Sequence, residues 1–399
     1  MIIRPHFRNV AVTLTLAALG FGCSSSSSSS DASTDTGKTD GKTDVPSDMA
    51  GSDVPKDVPA GDSADAPTLS AAAMRGKYLV NSVVGCSDCH TPPGANGMPD
   101  LTMFLAGNKN FVVLPNGDKL GSRNLTNDAT GLKNRSDDEI KNMFLNGMRP
   151  AAVGGADAGT SQALNPIMPY YIFHNMTSDD ADAIVAYLRT VPAVMNTIPQ
   201  RGPSFEVPGP APALDLNAVK SPKYADAATQ QSALRGKYLA SQVGLCVECH
   251  TKHNDPGAAT VLDEANLFAG GEDFSAFFAT TLMIHPVSKN LTGDDTTGLG
   301  KWTAMDVQNC LAKGKSKDGT GICPPMPLAV YMMMAPQDQM DIANYIKSLP
   351  AIVHDVPDMC VFPIPPDAGS DGAADGGAPE TAPDAGDEVA ADAGDETGG

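Results

Sequence analysis

The chain has 399 residues, among them 39 Gly, 32 Pro, 47 acidic and 27 basic side chains, for a formal net charge of −20. Most of that charge lies in two tracts: residues 24–68 hold nine Asp against three Lys, and residues 364–399 hold seven Asp, three Glu and no basic residue. An acidic chain of this kind is excluded as a nucleic-acid binder, because neutralising phosphates needs clustered Lys and Arg.

Residues 1–22 read as an export signal, with Arg4 and Arg8 ahead of an apolar run from Val10 to Leu19 that is too short to span a bilayer. Cys23 and the serines after it resemble the acylation site of a bacterial lipoprotein, against the simpler reading of plain signal cleavage. The expected location is therefore the periplasm or cell envelope, with a lipid anchor at Cys23. Residues 24–68 are too poor in apolar side chains to offset the entropy of ordering and read as a disordered tether; the acidic tail, 356–399, reads the same way.

An internal repeat lies between these tracts. Arg75-Gly-Lys-Tyr-Leu79 recurs as Arg235-Gly-Lys-Tyr-Leu239, Asn124-Leu-Thr126 as Asn290-Leu-Thr292, Thr130-Gly-Leu132 as Thr297-Gly-Leu299, and Met168-Pro169 as Met326-Pro327. Two related domains follow, 69–200 and 225–355, joined by a Pro-rich linker, 201–224. Each carries three helical patterns. The first has Ala72, Gly76, Leu79, Val80 and Val83 on one face, with Gly76 permitting close approach of another helix. The second opens with a capping box, Ser136 with Glu139, and presents Ile140, Met143, Phe144 and Gly147; its counterpart has Thr303, Val307, Cys310, Leu311 and Gly314. The third starts near Thr177 or Pro336 and stops at Pro192 or Pro350. With no sustained strand alternation, the expected fold is all-α with long loops.

Four of the eight cysteines form Cys86-Ser-Asp-Cys89-His90 and Cys246-Val-Glu-Cys249-His250. Two thiols on one helical turn can add to the two vinyl groups of a haem, with the adjacent His ligating iron. A thioredoxin-like pair, half a zinc site or a local disulfide does not explain a His at the same place twice. Two covalent haem c groups are thus expected, with His90 and His250 as proximal ligands. Met168 and Met326, each followed by proline and each about 80 residues downstream of its motif, fit as distal thioether ligands. Rival ligands are His174 in the first repeat and His253 or His285 in the second.

These motifs, the Arg-Gly-Lys-Tyr-Leu lead-in and the closing helices with Ala186-Tyr187-Leu188 and Asn344-Tyr345-Ile346 make residues 70–355 resemble a tandem class I cytochrome c. The resemblance is to the dihaem and trihaem cytochrome subunits of membrane-associated alcohol, aldehyde and sugar-acid dehydrogenases. It implies single-electron transfer in the periplasm between a dehydrogenase or other donor and a cytochrome or oxidase acceptor. In related cytochromes a residue at the positions of Arg135 and Trp302 reaches a haem propionate, and the difference between these two implies unequal haem potentials. The alternatives are a dihaem enzyme of peroxidase or thiosulfate-oxidising type with one exchangeable haem, and a tethered redox sensor. Of the remaining cysteines, a Cys310–Cys323 disulfide is the preferred pairing and Cys323–Cys360 its rival.

Overall fold

A computed structural model describes residues 68–95, 97–150, 162–254, 262–274 and 286–357, all within one compact unit of the chain. The predicted export segment, Cys23, the acidic tether and all but the first two residues of the predicted tail lie outside the described residues.

Helix α1 (Ala71–Tyr78) begins where the Ser70 side chain accepts the Ala73 amide, then loosens into a π-helical turn over Leu79–Val83 that buries Leu79, Val80 and Val83. Its buried alanine is Ala73, while the predicted Ala72 is exposed; the π turn shifts the helical phase and so rotates the apolar face. After α2 (Cys86–His90) the chain makes a short ladder, β1 (Val112–Val113) with β2 (Lys119–Leu120). Helix α3 (Asp137–Asn146) has the expected Ser136/Glu139 capping box and ends at left-handed Gly147. A second ladder, β3 (Met148–Arg149) with β4 (Gln162–Ala163), precedes α4 (Tyr170–Phe173) and α5 (Ser178–Leu188), the latter capped by Thr177. The second repeat follows with α6 (Ala227–Tyr238), another π turn over Leu239–Val243, and α7 (Cys246–Cys249). It continues with α8 (Ala304–Lys313), which has a Thr303/Asp306 capping box, then α9 (Leu328–Tyr331) and α10 (Pro336–Lys347).

The described residues are thus largely helical, but the expectation of helices and loops alone missed two antiparallel ladders. Each ladder strand is two residues long, too short to leave an alternating pattern. The closing helices end at Leu188 and Lys347, ahead of the prolines read as their stops.

Helices α1 and α5 cross at Gly76, and α6 and α10 cross at Gly236. A Cβ at Gly76 would lie 1.8 Å from the Ala183 carbonyl oxygen, and one at Gly236 would lie 1.8 Å from that of Asp341. No side chain fits at either crossing. The neighbouring arginine clamps each crossing: Arg75 donates from Nε and Nη2 to Asp180 at 2.8 and 3.0 Å, and Arg235 pairs with the fully buried Asp341.

The tyrosine of each lead-in helix reaches into the other repeat. Tyr78 donates to Asp338 at 2.6 Å and accepts the Ala335 amide at the start of α10. Tyr238 donates to Asp180 at 2.8 Å and accepts the Thr177 amide at the start of α5. Around this exchange one apolar cluster takes Leu79, Val83, Ile184 and Tyr187 from one repeat and Leu239, Val243, Ile342 and Tyr345 from the other.

Gly76→Ala and Gly236→Ala should each cost about 3 kcal/mol, because a methyl group forced against packed backbone displaces two helices. Urea unfolding of the full chain measures this; variants within about 0.5 kcal/mol of wild type, the range of ordinary surface changes, would contradict the crossing described.

Candidate functional site

Each Cys-x-x-Cys-His motif forms one helical turn entered through a left-handed residue, Gly85 at φ 70° and Leu245 at φ 60°. That conformation turns the chain sharply out of the π segment and costs about 1 kcal/mol at a non-glycine residue such as Leu245. Cys86, Cys89, Cys246 and Cys249 all carry free thiols. Burial pushes the thiols of Cys86, Cys89 and Cys246 up to about 12, and that of Cys249 higher still, so all four remain protonated at neutral pH.

The two histidines are held alike. His90 Nδ1 lies 2.7 Å from the Arg123 carbonyl oxygen and His250 Nδ1 lies 2.8 Å from that of Lys289. A ring nitrogen facing a carbonyl must carry the proton, which leaves Nε2 with its lone pair as the ligating atom. Burial lowers both imidazole pKa values against the opposing effect of these carbonyls, which keeps the rings neutral as iron ligation requires. The next stretch repeats as well. The Gly107 amide donates to the His90 carbonyl and the Gly270 amide to the His250 carbonyl, both at 2.7 Å. Thr91 Oγ1 accepts the Leu105 amide and Thr251 Oγ1 the Phe268 amide, both at 3.0 Å. Free thiols, neutral histidines of fixed tautomer and an apolar surround fit a covalently held haem at each motif.

Met168 and Met326 are both half-buried against the apolar cluster, and each begins the turn into a short helix, through Tyr170 N–H to Met168 O and Leu328 N–H to Met326 O. The rival His174 is exposed, with Nδ1 3.0 Å from the Leu145 carbonyl oxygen. His253 is taken up elsewhere: Nε2 lies 3.3 Å from Glu248 and Nδ1 3.1 Å from Glu272. His285 lies outside the described residues. Arg135 and Trp302 occupy matching turns, their amides donating to Leu132 and Leu299, each at 3.0 Å. Arg135 reaches Glu139 at 3.7 Å, whereas Trp302 packs against the core.

One pairing is corrected. Cys310 is a free thiol while Cys323 is disulfide-bonded, so the Cys310–Cys323 bond is not formed. Cys310 sits inside α8, where its side chain is committed to the helix's half-buried face. Cys360, the rival partner, lies outside the described residues.

The proximity of the two motifs was not foreseen. Tyr171 of α4 donates to Glu248 inside the second motif at 2.5 Å, and a Cβ at Gly85, the entry to the first motif, would lie 3.2 Å from Val330 of α9 in the second repeat. Glu248 inside the second motif was the visible signal; its partner Tyr171 in the other repeat was not.

Residues 73–192 match the family described as Cytochrome c. Over that stretch the chain resembles a cytochrome c domain. The matched residues include Cys86, Cys89, His90 and Met168 and end before the second motif. The cytochrome c subunit of gluconate 2-dehydrogenase from Pantoea cypripedii is 28% identical over 303 residues, covering 72% of this chain and 62% of that protein. The cytochrome c subunit of the quinone alcohol dehydrogenase from Gluconacetobacter polyoxogenes is 29% identical over 312 residues, covering 75% and 58%. A protein named diheme cytochrome c-type from Cereibacter sphaeroides is 28% identical over 132 residues, 33% and 41% of the two chains. The chain therefore spans about six-tenths of the length of the two dehydrogenase cytochrome subunits.

His253 gives the second motif a pH signature. Burial alone would lower its pKa, but the carboxylates of Glu248 and Glu272 outweigh this and raise it to about 10 from 6.5. A raised histidine contributes stability that is complete below its unfolded value and is lost as pH rises through its folded value. Between pH 6.5 and 10 the melting temperature of wild type should fall toward that of His253→Asn, as thermal unfolding across that range will show. Parallel curves would contradict the buried charge.

Proposed function

We propose that the chain is a dihaem c-type cytochrome with tandem class I cytochrome c domains at 69–200 and 225–355, an electron-transfer protein and not itself an enzyme. Cys86 and Cys89 would hold one haem, and Cys246 and Cys249 the other. His90 with Met168, and His250 with Met326, would ligate the irons. Bound haem supplies an Fe(III)/Fe(II) couple that exchanges one electron at a time. The single observation that carries this reading is the twice-built motif: a pair of free thiols beside a histidine whose Nδ1 is fixed on a backbone carbonyl.

The chain's own groups suit that task. The carbonyls of Arg123 and Lys289 fix the ligand tautomers and ring orientations, so little rearrangement accompanies a change of charge. The prolines after Met168 and Met326 stiffen the turns that present the thioethers. The continuous apolar cluster around both sites excludes water and lowers the local dielectric.

The relatives' names support a dehydrogenase as electron donor; the acceptor would be a cytochrome or an oxidase. Among the described residues no helix is long and apolar enough to cross a membrane. Attachment to the envelope would come from acylation of Cys23 after the export signal at 1–22.

Optical spectroscopy of the purified protein tests the ligation. The oxidised protein should show the weak far-red sulfur-to-iron band, and the reduced protein should not bind carbon monoxide. Met168→Ala and Met326→Ala should each remove about half of that band and open one haem to carbon monoxide, as expected for one thioether per iron. Carbon monoxide binding by wild type would overturn saturated His/Met ligation and favour the exchangeable haem of an enzyme.

A further inference from the structure

Arg201, just beyond the first repeat, has a side chain only 9% exposed. Its Nη1 donates to the Ala163 carbonyl at 2.6 Å and its Nη2 pairs with Glu206 at 2.7 Å, yet its Nε is buried with no hydrogen-bond partner. A buried donor left unpaired costs about 1–3 kcal/mol, more on a charged group, so such an atom marks a missing acceptor.

The surroundings locate that acceptor. Ala163 ends β4, five residues before Met168, and Asn165 of the same loop donates to the Phe205 carbonyl at 3.1 Å. Ile167 and Phe205 pack together on the small apolar cluster of Val112 and Leu120. Residues 201–206 are therefore fastened to the loop that presents Met168. The preceding residues are fastened to the histidine side: Arg123, whose carbonyl holds His90, donates through its guanidinium to the Ile198 and Pro199 carbonyls at 3.0 and 3.2 Å. Arg201 thus stands where the two ligand-bearing loops of one site converge.

We propose that Arg201 Nε donates to a propionate carboxylate of the haem in the first repeat, making it a positioning residue and the charge partner of that group. This rests on the haem reading given above. An N–H donated to a carboxylate is charge-assisted, and a guanidinium beside a propionate keeps the propionate ionised to lower pH. The second site is built differently. Lys289, the counterpart of Arg123, donates to Pro357 at 3.2 Å, and the sequence position corresponding to Arg201 is Met359. The positive charge of Arg201 opposes ferric iron and raises the reduction potential of the first haem alone.

The test uses the full-length protein, after peptide mapping has shown haem on Cys86 and Cys89; its absence there would fail the underlying haem reading and not this one. Wild type, Arg201→Gln and Arg201→Lys are compared by redox titration from acid to neutral pH and by resonance Raman of the propionate bending bands. In Arg201→Gln one of the two potentials should fall and become dependent on pH, and one propionate band should move, while the other haem is unchanged. Arg201→Lys, which keeps the charge, should retain most of the potential but still move the band. Where Arg201→Gln does not fold, the lysine variant's band decides. Unchanged bands and potentials in a folded variant, with only a loss of stability, would overturn the proposal and leave Arg201 as a tether to Ala163 and Glu206.

Discussion

Two helices in backbone contact, made twice, are the constraint from which the rest of the structure follows. At Gly76 and Gly236 the absence of a Cβ lets each lead-in helix press on the carbonyl row of a closing helix. The contact brings Arg75 onto Asp180 and Arg235 onto Asp341, and it aims Tyr78 and Tyr238 past their own helices at the opposite repeat. The π turn that follows each tyrosine redirects the chain so that Leu79, Val83, Leu239 and Val243 fill the shared core and both Cys-x-x-Cys-His turns lie against it. A bulkier residue at either glycine would separate the helices and undo the exchange.

From this arrangement the chemistry of the motifs is largely electrostatic. Burial keeps the imidazoles neutral, the state that iron ligation requires, and the motif cysteines are free thiols rather than disulfides, as thioether formation requires. The two sites are copies in their hydrogen bonds yet differ in charge. The first has Arg135 and the enclosed Arg201; the second has Trp302 and the His253 ion pairs with Glu248 and Glu272. Near-identical ligand geometry with unlike surroundings is a means by which one fold sets two potentials.

Local signals in the sequence were read well because their physics is local. The capping box at Ser136/Glu139, the helix start near Thr177 and the close approach at Gly76 all depend on residues within a turn or two. The thiol and imidazole spacing of the motifs is likewise a property of one helical turn. What could not be read depends on distant partners. Tyr78 gave no sign of Asp338, Tyr171 none of Glu248, and Arg201 lay in a stretch read only as linker. The Cys310–Cys323 pairing failed because closeness in sequence says nothing about the direction of a side chain fixed on a helix. His253 was weighed as an iron ligand, and its carboxylate partner Glu272 arrives from a loop 19 residues away.

The most direct test of the account is the intact mass of the exported, purified protein together with a map of its haem peptides. The mass should equal the processed chain plus two haems, with one haem on Cys86 and Cys89 and the other on Cys246 and Cys249. A single haem, or a Cys86–Cys89 or Cys246–Cys249 disulfide in the mature protein, would contradict it.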